Sequence, residues 1–125
     1  MDQSFGNQQR LKNKILIGKL FSHGSSVSKY PLRLVYLKTE HNPETPVKVA
    51  VSVSKRSFKR AVDRNRIKRL VREVYRLNKD LFIQEIESDS YAFIFLYTGR
   101  ELPAFETLQH TIIRLSEKFK EQLRS

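Results

Sequence analysis

Valines at positions 47, 49, 51 and 53 alternate with Lys48, Ala50, Ser52 and Ser54, the period of two expected of a strand with one buried face and one open face. The open face is small and polar. Residues Tyr91 to Thr98 (YAFIFLYT) are apolar at almost every position, which predicts a short interior strand covered on both sides, ended by Gly99. Between the two strands the period lengthens. From Lys59 to Leu77, the residues Ile67, Leu70, Val71, Val74 and Leu77 recur at helical spacing and predict a core-facing arc. Asn78, Lys79 and Asp80 loosen the pattern, and the stretch to Asp89 carries no firm period. A second long helix follows from Phe105, Leu108, Ile112, Leu115 and Phe119, with Pro103 near its first turn.

Upstream, Asn13 to Gly24 predicts a short helix with Asn13 as cap, Leu16, Ile17, Leu20 and Phe21 as apolar positions, and Gly24 as a left-handed closing residue. Val27 to Lys38 reads as two short strands broken at Pro31, which has no amide hydrogen to give a ladder. The segment HNPETP from His41 to Pro46 is turn chemistry. Residues 1–9 hold little that could be buried and are expected to be a disordered leader segment, with 10–125 forming a single domain. The predicted order is αβββαβα, an α+β fold.

Composition narrows the function. With 125 residues and 39% apolar positions, the chain supports one core of ordinary size. It contains no cysteine, so disulfides, thiol nucleophiles and thiolate metal sites are excluded. No apolar run approaches the ~20 residues that span a bilayer, and the polar N-terminus lacks the apolar stretch of a secretory signal. No membrane association and a cytoplasmic location are the expectation. The 24 Lys and Arg against 13 Asp and Glu leave a formal charge of +11, which favours polyanionic partners, nucleic acid first.

Most of that surplus sits in one place. Between Lys55 and Arg76 there are ten basic residues and two acids, Asp63 and Glu73. Opposite the apolar arc, Arg64, Lys68, Arg69, Arg72 and Arg76 form a cationic ridge with Asn65 among them. Like charges four residues apart repel within an isolated helix, and an external polyanion relieves that repulsion. Arg grips phosphate with a two-pronged fork, Lys supplies a point charge, and Asn65 offers a neutral donor and acceptor to a sugar or base edge. A merely solvated face is the simplest alternative. Lipid binding is disfavoured because the apolar face is needed for the core.

A self-contained nuclease needs positioned acid and base groups or a carboxylate cluster around metal. Neither pattern is present. His23, His41 and His110 fall on three separate segments with no metal-ligand spacing, and the acids between Glu85 and Asp89 read as a solvated face. No catalytic and no metal-ligating residue is assigned.

The series Val53-Ser54-Lys55-Arg56, then Ala61-Val62-Asp63-Arg64-Asn65-Arg66-Ile67-Lys68-Arg69-Leu70-Val71-Arg72-Glu73, resembles the signature of the protein subunit of bacterial ribonuclease P, whose hallmark is Arg-Asn-Arg. Arg10-Leu11-Lys12 and Phe21-Ser22-His23-Gly24 extend the likeness, which covers roughly residues 10 to 122. It implies a four-stranded sheet with a left-handed βαβ crossover, against the usual hand, as in certain ribosomal-protein domains. It also implies contact with a catalytic RNA through Arg64, Asn65, Arg66, Lys68, Arg69 and Arg72. A cleft between the first helix and the sheet would hold the 5′ leader of precursor tRNA, with Ile17, Phe21, Arg33, Lys48, Ser52, Lys55 and Arg56 as candidates. Ile17 stands where the family usually has an aromatic, and Arg56 to Arg60 replaces a Gly-containing linker.

The implied partners are the ribonuclease P catalytic RNA and precursor tRNA, with one protein per RNA, and Mg²⁺ is expected on the RNA rather than on the chain. Phe21 either stacks a base or packs with Leu16 and Leu20, whereas Tyr91, Phe93, Phe95 and Tyr97 read as core. A non-enzymatic ribosomal or RNA-assembly protein on a related fold is the alternative. A sequence-specific DNA binder would want a helix-turn-helix or similar module, which is absent from the pattern.

Overall fold

The valine alternation becomes an edge strand and the apolar run becomes its inner neighbour. The computed structural model describes residues 14–40, 44, 46–86 and 89–124; the expected leader segment at 1–9 and the cap Asn13 lie outside them. In chain order the elements are α1 (Lys14–His23), β1 (Ser25–Lys29), β2 (Leu32–Thr39), β3 (Val47–Val53), α2 (Ala61–Asn78), α3 (Asp80–Ile86), β4 (Ser90–Tyr97) and α4 (Phe105–Arg124). The sheet order is β1-β2-β4-β3. β1, β2 and β4 pair antiparallel, while β3 runs parallel to β4 and is joined to it through α2 and α3. This is the α+β fold with a four-stranded sheet that the pattern and the resemblance imply.

β4 is sandwiched between β2 and β3, so both of its faces must be apolar, and they are. Phe93 and Phe95 point to one face with Leu34, Tyr36, Val49 and Val51, beneath α2, α3 and α4. Ala92 and Ile94 point to the other with Val35, and Leu20 of α1 caps them. Tyr91, Phe93, Phe95 and Tyr97 are all buried on the face covered by three helices, as expected of core. There Phe93 meets Phe119 edge to face, with centroids 5.4 Å apart and planes at 77°, a geometry worth about 0.5–1.5 kcal/mol beyond its area.

Three local expectations are corrected. The stretch before Asp89 holds a further helix, α3, whose Phe82 and Ile86 are buried; two apolar anchors in seven residues are too few to reveal a period. On α2 the inward residues are Ile67, Val71, Val74 and Tyr75, and Leu77 is 52% exposed. Tyr75 turns the helix because its ring packs on both Phe82 and Phe95, at 5.6 and 5.5 Å. Gly24 is not left-handed. It is needed for space, since a Cβ there would collide with the backbone oxygen of Leu20 and come within 3.0 Å of that of Tyr36.

Candidate nucleic-acid interface

The turn of α2 imposed by Tyr75 decides which cations face outward. Asn65, Arg66 and Arg69 are exposed, while Arg64, Lys68, Arg72 and Arg76 are half-buried along the flanks. The ridge is therefore centred on Asn65, Arg66 and Arg69 rather than on the row Arg64, Lys68, Arg72. Arg64 is turned back on the chain. Its Nη1 donates to the carbonyl oxygens of Phe58 at 2.7 Å and Lys59 at 2.9 Å, holding the linker against the first turn of the helix. Arg76 grips Glu73 through two hydrogen bonds, Nε to Oε1 at 3.0 Å and Nη2 to Oε2 at 2.6 Å. That hydrogen bonding holds the Glu73 carboxyl below the ordinary carboxylate range.

Lys55 and Arg56 are exposed in the turn after β3. The turn is anchored by the amide of Arg56 donating to Ser54 Oγ at 3.0 Å and by buried Phe58, whose amide donates to the Ser54 carbonyl oxygen at 3.0 Å. Phe58 thus does the positioning in the segment where a glycine is absent.

The other surface lies on the face that α1 covers. α1 packs chiefly on β2 and β4, so the outward positions of β3 are left open beside it. Register aligns Ser52 with Leu96 and Leu96 with Arg33, and aligns Lys48 with Ala92 and Ala92 with Leu37. Strands lie about 4.8 Å apart, which puts Arg33 roughly 10 Å across the sheet from Ser52. Arg33 and Ser52 are exposed and Lys48 is half-buried. Arg33 Nη2 donates to Ser26 Oγ on β1 at 3.1 Å.

Above this face α1 resolves the choice at Phe21. Leu20 is fully buried and Phe21 is 59% exposed, so Phe21 is not core; Ile17 is half-buried against the sheet. The face also carries Leu96, half-buried between Arg33 and Ser52. The sequence reading misses it inside the apolar run, although its parity with Ala92 and Ile94 is a usable signal. The structure therefore gathers Ile17, Phe21, Arg33, Lys48 and Ser52 on one side of the sheet, and places Lys55 and Arg56 in the turn leading to α2. Among the described residues, no three His, Cys, Asp or Glu side chains gather where they could hold a metal ion, and no helix is long and apolar enough to cross a membrane.

The family model for Ribonuclease P matches residues 5–120. The chain belongs to the ribonuclease P protein family. It is 44% identical over 115 residues to the ribonuclease P protein component of Porphyromonas gingivalis, covering 86% of this chain and 83% of that one. To the component of Chlorobaculum tepidum it is 36% identical over 112 residues, with 81% and 73% covered. In fold it is similar to the RNase P protein of Staphylococcus aureus, with a TM-score of 0.69 at 21% identity, covering 90% of this chain and 95% of that one. The RNase P protein of Thermotoga maritima gives 0.68 at 20% identity, with 87% and 96% covered. Membership of the ribonuclease P protein family ties the chain to ribonuclease P activity as a protein component. The α2 ridge and the open side of the sheet are separate surfaces carried by different elements.

Proposed function

We propose that the chain is an RNA-binding subunit of cytoplasmic ribonuclease P, one copy per catalytic RNA, that assists removal of the 5′ leader from precursor tRNA. In this reading the hydrolysis and its Mg²⁺ ions belong to the RNA. The α2 ridge docks on the catalytic RNA: Arg66 and Arg69 meet phosphates, Asn65 reaches a sugar hydroxyl or base edge, and Lys68 and Arg72 contribute from the flank. Arg64 acts as a positioning residue, fixing the linker from which the ridge starts. Each phosphate neutralised releases condensed counterions, which makes assembly steeply salt-dependent and reduces the repulsion between catalytic RNA and substrate.

The leader lies between α1 and β3. Phe21 stacks a base, Ile17 borders the same cleft with an apolar rather than a stacking surface, Arg33 and Lys48 meet phosphates, and Ser52 hydrogen-bonds a sugar or base. Lys55 and Arg56 continue the cationic track toward α2. Mature tRNA has no leader, so these contacts add binding energy to the precursor alone and let the product go.

The observation that carries the reading is the pair Leu20 and Phe21, the first fully buried and the second mostly exposed above a sheet face lined by Arg33, Lys48 and Ser52. Cleavage of a labelled precursor tRNA at low Mg²⁺ tests it, using the protein alone, bacterial ribonuclease P RNA alone, and both together. Correct 5′ processing in the mixture only is the expected result. Cleavage by RNA-free protein would overturn the placement of the chemistry, and binding without stimulation would favour a structural RNA binder.

A further inference from the structure

A third surface lies at the end of the sheet where β3 and β4 finish. Val53, Tyr97 and Leu32 are in register there, so the β1–β2 turn, the start of α2 and the loop before α4 converge. Tyr30, Pro31, Tyr97, Arg100 and Leu102 help line a hollow of about 440 Å³. Arg66, Ile67, Leu70, Leu102 and Pro103 line a second of about 380 Å³. The two adjoin at Leu102 and Pro103, and side by side they make up a trough-like surface from Tyr30 to α2.

Its rim is braced. The amide of Thr98 donates to the Pro31 carbonyl oxygen at 2.7 Å, and the Tyr97 hydroxyl donates to the Glu101 backbone carbonyl. Its lining is mixed, polar as well as apolar, and it opens to solvent, with Tyr30 70% and Leu102 46% exposed. Arg66 and Arg100 flank it against one acid, Glu101. Arg66 belongs both to the trough wall and to the outward face of α2. Backbone docking alone uses no aromatic ring, and a paired base offers no free face to stack on.

We propose that the trough holds an unpaired nucleotide of the RNA on which α2 docks, with its base against Tyr30 and Leu102 and its flanking phosphates on Arg100 and Arg66. This rests on the RNA-binding reading of α2. Charge decides for RNA over a peptide, since Lys55, Arg56, Lys59 and Arg60 are also exposed in the linker that leads to α2.

The test uses the full chain and bacterial ribonuclease P RNA, with filter binding over a series of salt concentrations and base-specific chemical modification of the RNA. Tyr30→Ser is expected to weaken binding about 10-fold, within the roughly 5- to 140-fold span of one base–aromatic stack. The salt slope should stay unchanged, and one or more unpaired bases protected by the parent protein should become reactive. Tyr30→Phe should bind and protect like the parent. Arg100→Gln should lower the slope by about one. Parent-like affinity and protection by Tyr30→Ser would overturn the proposal. If Arg69→Gln then still weakens binding, the ridge stands and only the trough fails; if Arg69→Gln is also silent, the ridge reading fails with it. Self-association of the parent protein that Tyr30→Ser abolishes, with RNA affinity intact, would make the trough a protein interface and also overturn the proposal.

Discussion

Arg64 and Arg66 flank Asn65 in one motif yet face different neighbours, and alanine at each is expected to fail differently. Arg64 donates one partly buried and one exposed hydrogen bond to the carbonyls of Phe58 and Lys59. Hydrogen bonds to charged groups contribute ~1.5–3 kcal/mol, less where water replaces the donor, so Arg64→Ala should cost about 2 kcal/mol. At roughly 3–6 °C per kcal/mol for a chain of this length, the thermal midpoint falls by on the order of 6–12 °C. Arg64→Lys keeps the charge but not the planar fork and should recover part of the loss. Arg66 is exposed, so Arg66→Ala should move stability by less than about 0.5 kcal/mol. Its effect belongs to RNA: without this one phosphate partner, the slope of log affinity against log salt falls by about 0.9. Circular dichroism melting reads the first effect and filter binding to ribonuclease P RNA between roughly 50 and 200 mM salt reads the second. An Arg64→Ala protein that melts like the parent would refute the linker role, and an unchanged slope for Arg66→Ala would refute the phosphate interaction.

The neighbouring pair on α1 separates in the same way. Phe21→Ala should weaken precursor tRNA binding by the ~1–3 kcal/mol of a base stack and leave mature tRNA binding and the thermal midpoint alone; equal loss on both RNAs would indicate damage to the fold. Leu20→Ala, at a fully buried site, should destabilise by ~2–5 kcal/mol, measured by urea unfolding, and a loss under about 1 kcal/mol would mean α1 is not fixed on the sheet by Leu20. Alkaline pH is a further probe. Burial pushes the Tyr75 phenol well above the ordinary tyrosine range, with the Asp80 carboxylate adding to the shift, and burial raises Tyr36, Tyr91 and Tyr97 as well. A pKa raised by folding gives stability that is complete below the unfolded value near 10 and is lost as pH climbs toward the folded value. Each such phenol steepens the loss by up to ~1.4 kcal/mol per pH unit. Tyr75→Phe should flatten that decline above pH ~10, and identical alkaline unfolding of the two proteins would refute the assignment.

Periodicity made the sheet legible because its two informative strands lie at opposite extremes. β3 is an edge strand with one open face, and β4 is interior, so alternation and a continuous apolar run separate cleanly. The same reading misplaces Leu77 and overlooks Tyr75, because the rotation of α2 is set by where Phe82 and Phe95 stand, and no helical wheel contains them. α3 escapes for a related reason: Phe82 and Ile86 are buried by tertiary contact, and seven residues give too short a window for a moment to emerge. Gly24 is marked correctly as special but for the wrong reason, since proximity to the Leu20 and Tyr36 backbones is a three-dimensional fact.

The cationic motif shows the same division at the level of chemistry. A run of basic residues announces a polyanion, but it does not say which cations are free to meet it. Arg64 is occupied by two carbonyls and Arg76 by Glu73, which leaves Asn65, Arg66 and Arg69 as the outermost groups. The occupied arginines still matter, because a ridge binds in register only if its start is fixed, and Arg64 together with buried Phe58 fixes it. A linker without glycine then becomes intelligible: where a flexible joint is missing, an aromatic anchor and an arginine clamp set the approach of α2, and loss of either should blur the docking before it removes any phosphate interaction.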